Sequence, residues 1–225
     1  GTAPLQSLYV EGRTIAKDEV IEFKLWAARP NQLRMLSVSA QRSVLQVFDG
    51  KNEPLISHNE IQDGEPLRMA GAERSEFIAN ADFDGPLVNF ALKGYTVDYA
   101  GEEKVNGRPA SKLLMMSAND DIFFVWVDQE NSEIVRRSVF RVVREKRILV
   151  DTYFSDFRPV AGTLQPHRIE TKVGDKTLYA MIVTRVEVNS AEVVPECFTV
   201  PKDWPRLAMG LSARAAQGAR SYRLR

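Results

Sequence analysis

The residues that most often carry enzyme chemistry are few and widely spaced in this chain. The two histidines, His58 and His167, lie far apart in unrelated strand or turn contexts. The only cysteine, Cys197, rules out an internal disulfide, and an inert buried thiol fits it better than a nucleophile. A zinc or iron site needs a cluster of ligands, and the sequence contains none. We therefore expect no catalytic residue, no metal and no cofactor.

Acidic residues occur as neighbours rather than as separated pairs. Asp120-Asp121 and Glu102-Glu103 read as acids in solvated turns. General acid–base catalysis needs two carboxylates that face each other across a cleft, which adjacency in sequence does not provide. Glycine-rich phosphate loops, Gly-x-Ser-x-Gly elbows and Cys-x-x-Cys pairs are also absent. We expect a protein that is not an enzyme; an enzyme whose site the sequence does not reveal stays open as an alternative.

Charge divides the chain into a body and a tail. Acidic and basic residues number 30 each, so the formal net charge is zero. The last segment has five basic residues and no acid, which leaves the body with five more acids than bases. Its basic residues are Arg206, Arg214, Arg220, Arg223 and Arg225. We expect one domain over 1–205, no nucleic-acid binding by it, and a tail over 206–225 that makes weak contact with membrane surfaces.

Period-two alternation of apolar and charged residues dominates the body. Over 20–28, Glu22 and Lys24 face one way while Phe23 and Leu25 face the other. Similar runs are separated by turn signals such as Asp49-Gly50 and Asn106-Gly107. The pattern predicts a mainly β fold with short helices, an antiparallel meander of about eleven strands. So many strands are expected to curl into a half-barrel.

Two segments break this alternation. Met69 to Asp82 has an apolar stripe typical of a helix, and Pro86 to Lys93 lies between Gly85 and Gly94, as a short helix does. Helices inserted between strands must bury their apolar sides. We expect both helices to lie under the curl, on its concave face.

Several motifs occur in an order that resembles the LolA-like family of periplasmic lipoprotein and lipid carriers. They are the Arg29-Pro30-Asn31 turn within 25–34, the Val47 to Asn52 strand end, Val105 to Leu113 (V-x-G-x-x-A-x-K-L), Phe154 to Pro166, and Phe198-Thr199-Val200-Pro201. The resemblance covers about Leu8 to Pro201. The chain lacks the family's N-terminal capping helix, and its basic tail exceeds the family's common core.

The resemblance implies a non-enzymatic carrier that binds lipoprotein acyl chains or lipids in an apolar cavity, for transport or sorting to the outer membrane. It places Arg29 at the mouth of that cavity. The expected ligand-binding residues point to the concave face or come from the two helices: Phe23, Leu25, Arg29, Leu33, Met35, Phe77, Ile78, Phe90, Met115, Phe124, Phe140 and Phe154. A filled core built from the same residues is the alternative, because alternation does not distinguish a filled interior from a hollow one.

The expected partners are an acylated lipoprotein or a lipid, together with a membrane protein of the envelope. The alternative function is an envelope sensor or binding module of the same fold that recognises a partner protein. We expect the protein in the periplasm, with its signal peptide removed, and anchoring through a segment before Gly1 stays open. No apolar run approaches the ~18 residues of a membrane-spanning helix.

Overall fold

The computed structural model describes residues 4–17, 19–58, 66–118, 121–143 and 145–199. Within them the chain forms thirteen antiparallel strands, one α-helix and one 3₁₀ turn. The strands are β1 (Ser7–Ala16), β2 (Glu19–Ala28), β3 (Gln32–Val38), β4 (Ser43–Phe48), β5 (Leu55–His58), β6 (Leu67–Arg68), β7 (Thr96–Val105), β8 (Arg108–Met116), β9 (Ile122–Asp128), β10 (Ile134–Val143), β11 (Lys146–Val160), β12 (Thr163–Val173) and β13 (Lys176–Val188).

The strand order is that of a meander. Each strand pairs with the next in sequence from β1 to β6 and from β7 to β13, and β1 lies beside β13. This confirms a mainly β, antiparallel fold, although two more strands are present than the sequence predicts. The two shortest strands account for the difference. β5 has four residues and β6 has two, which is too few for alternation to identify a strand.

One of the two expected helices is present. Helix α1 (Gly71–Ala81) confirms the helix expected over 69–82. The helix expected over Pro86–Lys93 is wrong, because this stretch is a series of turns. Asn89 has φ 54°, outside the right-handed helical region. The amide of Lys93 donates to the carbonyls of Asn89 and Phe90 and that of Gly94 to Ala91, which closes single turns only.

The chain packs as two compact units. Among the described residues, unit 1 contains those of 4–83 and 183–199, and unit 2 contains those of 84–182. In unit 1 the sheet around β2, β3 and β4 is covered on both faces. Helix α1 lies on one face, and the 3₁₀ turn (Pro195–Phe198) lies on the other, where Phe198 packs with Leu36, Leu45 and Val47.

Unit 2 contains strands β7 to β12 and a smaller apolar cluster. Val105, Ala110 and Trp126 form its buried part, with Phe124, Val135 and Tyr153 packed around them. The segment that leads into β7 is joined to the sheet at Tyr95, whose ring meets that of Phe123 edge to face at 5.7 Å. The basic tail over 206–225, and the expected boundary before it, lie outside the described residues.

Candidate functional site

The largest apolar cluster of unit 1 lies between helix α1 and the sheet. We call it the helix-covered cluster. Its buried members are Leu8, Ala27, Leu33, Phe48, Met69, Phe77 and Ala81, and partly buried Leu5, Leu25, Met35, Ile56, Ile78, Phe83, Val186 and Val188 pack against them. Five residues expected to bind ligand therefore meet here: Leu25, Leu33, Met35, Phe77 and Ile78.

Strand register explains why these residues meet. Leu25 pairs with Met35 across β2 and β3, and Ala27 pairs with Leu33, so all four side chains share one face. Phe23 precedes Leu25 by two residues and is buried on the same face. Alternation in the sequence therefore predicted correctly that Phe23, Leu25, Leu33 and Met35 share one face of β2 and β3.

Helix α1 is attached to this face by few contacts. Of its residues only Phe77 and Ala81 are buried. Two exposed polar contacts hold its first half, from Gln46 Nε2 to Glu73 Oε1 (3.1 Å) and from Arg74 Nη2 to Glu53 Oε1 (3.0 Å). Its N-cap residue, Ala70, supplies no side-chain hydrogen bond. A helix of this length has little stability alone, so α1 depends on Phe77 and Ala81 for its position.

Arg29 lies at the margin of the helix-covered cluster. Its Nε donates to the carbonyl of Leu5 (2.8 Å), and its guanidinium carbon lies 5.2 Å from the centroid of the Phe83 ring. Leu5 and Phe83 both pack against the cluster, while Arg29 itself is exposed. The arrangement places a permanent positive charge beside apolar side chains.

The turn that carries Arg29 is held by a second turn. Asn31 has φ 57°, and Gly50 has φ 83°. A Cβ atom on Gly50 would lie 2.5 Å from the carbonyl oxygen of Pro30, so only glycine fits against the Arg29 turn. The carboxylate of Asp49 accepts hydrogen bonds from the amides of Lys51 (2.9 Å) and Asn52 (2.8 Å). The hydrogen bond from the Asn52 amide contributes most to a lowered pKa of the Asp49 carboxyl group.

The expected site residues of unit 2 do not share one face. Phe124 pairs with Ser138, so it lies on the same face as Phe140, two residues further along β10. Met115 pairs with Phe123, the neighbour of Phe124, and therefore lies on the opposite face. Phe154 also lies there, because its neighbour Tyr153 pairs with Arg136 on the face of Phe140. The expectation of a common face is wrong here, because side chains of adjacent residues in a strand alternate. Phe90 lies in the series of turns over 86–93, which we call the turn segment, and is 40% exposed.

Unit 2 instead contains a charged network around Trp126 that sequence reasoning missed. Glu103 accepts hydrogen bonds from Lys112 Nζ (2.7 Å) and Trp126 Nε1 (3.0 Å). The Arg136 guanidinium lies 4.2 Å from the Trp126 ring centroid and donates to Asp151 (2.9 Å). The bond from Lys112 is the main reason why the pKa of Glu103 is lowered.

This network corrects the interpretation of Glu102-Glu103 as turn residues, because both lie in β7. The polar sequence of β7, together with a bulge between Tyr99 and Gly101, hides the alternation that would identify a strand. Asp121 does lie in a turn, where its amide donates to the Ser117 hydroxyl (3.2 Å). Asp120 lies outside the described residues.

The remaining candidates have ordinary structural contacts. Nδ1 of His167 lies 2.9 Å from the Gln165 carbonyl oxygen, and the side chain is buried. The Cys197 thiol lies 3.3 Å from the Glu192 carbonyl oxygen. No three His, Cys, Asp or Glu residues in the described part of the chain are placed to hold a metal ion. No helix among the residues described here is long and apolar enough to cross a membrane.

A small cleft opens beside the cluster on the other face of unit 1. Its volume is about 220 Å³, and its lining includes Val47, Leu55, Phe198 and Thr199. Ordinary ligand sites occupy roughly 300–1,000 Å³. The cleft is therefore small for a lipid, and it lies on the sheet face opposite the one that α1 covers.

Comparison with solved structures identifies the fold. A DUF1329 family protein from Desulfovibrio piger matches with a TM-score of 0.60 and 12% identity, covering 88% of this chain and 91% of that one. A LolA superfamily protein from Nitrosomonas europaea matches with a TM-score of 0.58, 14% identity and coverage of 87% and 90%. A putative outer membrane lipoprotein-sorting protein domain from Vibrio parahaemolyticus matches with a TM-score of 0.53, 11% identity and 92% coverage of both chains.

These matches extend over nearly the whole length of each chain, at identities too low to transfer a function. No family model matches the sequence, and no curated protein matches it significantly. The three structural matches have TM-scores above 0.5 and agree on one fold. This chain has the LolA-like fold.

Proposed function

We propose that the protein is a non-enzymatic carrier, exported to the periplasm, that binds the acyl chains of a lipoprotein or a lipid under helix α1. The observation that carries this proposal is the attachment of α1. An apolar face containing Leu25, Leu33 and Met35 is covered by a helix that buries only Phe77 and Ala81. Displacing α1 exposes a continuous apolar surface at a small cost in lost contacts, which is what a lid requires.

Apolar burial supplies the driving force for such binding. Each methylene group removed from water contributes ~0.8 kcal/mol, so a long acyl chain gains more than α1 loses when Phe77 and Ile78 leave the sheet. The helix-covered cluster has one face on the strands, which stay paired throughout. Binding therefore needs movement of α1 alone and no turnover chemistry.

Arg29 gives the site a polar end. Its guanidinium group lies at the margin of the helix-covered cluster, beside Phe83. Arginine binds carbonyl and anionic oxygens through several N–H donors. We place the head group or ester carbonyl of the ligand at Arg29 and the chain along Leu25, Leu33, Met35 and Phe23.

The proposed site is restricted to unit 1. Phe124 and Phe140 lie on one face of the unit 2 sheet, and Met115 and Phe154 lie on the other. A single acyl chain does not contact both faces of a sheet. Phe90, the remaining expected ligand-binding residue of unit 2, lies in the exposed turn segment over 86–93 and not in this sheet.

Two partly buried residues of β3 provide a matched test. Met35 faces α1, whereas Val38 packs on the opposite face. We expect Met35→Gln to weaken the binding of a fluorescent fatty acid by about tenfold, because it places an amide in the acyl path. Val38→Thr should leave the affinity unchanged. The affinity of each purified variant for the fatty acid is measured, and melting curves check that both variants are folded. Equal affinities for the two variants would contradict the proposal.

An envelope sensor that recognises a partner protein is the second candidate. The turn segment of unit 2 favours it, since Val88, Phe90 and Leu92 are large apolar side chains exposed to solvent. Mass spectrometry of organic extracts from the purified protein separates the two candidates. Co-purified lipid supports the carrier, while lipid-free protein that also fails to bind the fatty acid supports the sensor.

A further inference from the structure

Strands β10 and β11 form a two-stranded ribbon that extends beyond its neighbours. Among the described residues, β10 pairs with β9 only as far as Val139, and β11 pairs with β12 only from Asp151. Four further residue pairs join β10 to β11 alone: Phe140 with Leu149, Arg141 with Ile148, Val142 with Arg147 and Val143 with Lys146. At about 3.3 Å per residue the ribbon projects by roughly 13 Å.

The projecting ribbon exposes large apolar side chains. Val142 is 74% exposed, Val143 is 50% exposed and Phe140 is 36% exposed. Single exposed apolar residues are common on protein surfaces, but three within four consecutive residues at a protruding tip form a local apolar surface. Val142 and Val143 point to opposite faces, so apolar groups surround the tip instead of packing onto the sheet.

Basic residues flank these apolar side chains. Arg141, Lys146 and Arg147 lie in the ribbon, with Glu145 as the acidic residue between the strands. The Arg147 guanidinium carbon lies 4.0 Å from the Phe140 ring centroid. A cation held against an apolar ring resembles the way Arg side chains lie at a membrane interface, with the stem in apolar surroundings and the charge at the polar boundary.

We propose that this ribbon docks the protein onto anionic lipid bilayers, with Val142 and Val143 inserted among the lipid head groups. The positive charge of the ribbon complements an anionic surface. Burial of the apolar side chains at its tip adds to this charge attraction. Among the described residues, no strand pairs with the outer edge of β10 beyond Val139 or of β11 before Asp151, so the ribbon reaches the hydrated interface and stops short of the hydrocarbon. This docking is independent of acyl binding under α1.

Vesicle partitioning of the full-length protein tests the proposal. We expect binding to vesicles of phosphatidylcholine mixed with phosphatidylglycerol, and much weaker binding to phosphatidylcholine alone. Lys146→Gln should lower partitioning onto the anionic vesicles by about fivefold. The double variant Val142→Thr/Val143→Thr should lower it by about fivefold or more. Threonine keeps the β-branched shape, so the exposed positions should tolerate it in the fold.

Matched controls lie elsewhere on the surface. Val20→Thr changes an exposed valine of β2, and Lys176→Gln changes an exposed lysine of β13. Both should partition like the wild type. Every variant keeps the same residues 206–225, so any contribution of the basic tail cancels.

A probe at the tip distinguishes membrane docking from self-association of the chain. In a Cys197→Ser background, a polarity-sensitive dye on Val143→Cys should shift to the blue with anionic vesicles only. Unchanged partitioning of the ribbon variants together with an unshifted dye would overturn the proposal. Concentration-dependent dimers that are lost in Val142→Thr/Val143→Thr, without vesicle binding, would also overturn it and assign the ribbon to a second copy of the chain.

Discussion

Gly50 packs closely against the turn that carries Arg29. Gly50 and Gly107 have nearly the same backbone conformation, with φ 83° and 82°. A Cβ on Gly107 meets nothing within 4 Å, whereas one on Gly50 meets the Pro30 carbonyl oxygen at 2.5 Å. We expect Gly107→Ala to cost about 1 kcal/mol, through the backbone alone, and Gly50→Ala to cost clearly more. Urea unfolding of both variants checks this; equal losses would mean that the two turns do not press on each other.

Arg29 itself should matter for ligand and little for folding. Its contacts include a hydrogen bond to the Leu5 carbonyl and the face of the Phe83 ring, and the side chain is exposed. We expect Arg29→Leu to change the free energy of unfolding by less than about 1 kcal/mol and to weaken binding of a fatty acid more than binding of an uncharged alkane. Arg42→Leu, in an exposed turn, is the control. If Arg29→Leu binds the fatty acid as tightly as wild type, Arg29 is an ordinary turn residue.

Asp128 should make the stability of unit 2 depend on pH. The carboxylate is 2% exposed and accepts bonds from Arg108 Nε (2.7 Å) and Nη2 (2.9 Å). The bond from Arg108 is the main cause that lowers the Asp128 pKa from 3.8 to about 2. Because the folded pKa is the lower one, the stabilisation is complete above pH 3.8 and disappears as the pH falls towards 2.

Replacement of Asp128 by asparagine tests this assignment. Asp128→Asn should destabilise the protein by about 2 kcal/mol near pH 7, and its difference from wild type should shrink between about pH 4 and pH 2. Asp175→Asn, which removes an exposed carboxylate of the β12–β13 turn, is the control and should change the stability little near pH 7. Denaturant unfolding across this pH range provides the measurement. If the difference in unfolding free energy between Asp128→Asn and wild type stayed constant with pH, the ion pair with Arg108 would not be the cause of the pH dependence.

At the scale of elements, α1 should open without the strands beneath it. The Arg74–Glu53 ion pair is exposed and adds little to stability by itself, but together with the hydrogen bond between Gln46 and Glu73 it holds the first half of the helix. We expect Arg74→Ala to speed amide hydrogen exchange in α1 by a fewfold and to leave β2, β3 and β4 unchanged. Arg158→Ala removes a similar exposed pair with Asp156 in unit 2 and should not affect α1. Equal acceleration in α1 and the strands would make α1 part of the core.

Elements with a strong period were predictable from the sequence, and those shaped by local backbone geometry were not. Alternation identified β2 and β3 and placed Leu25 and Met35 on the same face, and the apolar stripe identified α1. The segment after Gly85 has helical spacing, but its turns follow from the left-handed Asn89, which no period reveals. The Trp126 network was missed because β7 is polar and carries a bulge.

At the scale of the molecule, the fold could be predicted from the sequence. The separation of the expected site residues into two units and onto two sheet faces could not. The order of strands, turns and short motifs resembled that of the LolA-like family, and the structural matches identify that fold. The separation into units at Phe83 and Val183 depends on long-range packing. Register likewise decides that Met115 and Phe124 face opposite ways, and the register of β8 against β9 cannot be read from the alternation within either strand.

If an acyl chain binds only when α1 leaves the sheet, a reversible tether on the helix should block binding. Gln46 and Glu73 hydrogen-bond across this contact at 3.1 Å, so cysteines at both positions, in a Cys197→Ser background, can be joined by a short reducible bis-thiol crosslinker. The single-cysteine variants treated with the same reagent are the controls. We predict that the crosslinked protein loses binding of a fluorescent fatty acid and regains it on reduction, with both controls binding throughout. Equal binding before and after reduction would contradict the role of α1 as a lid.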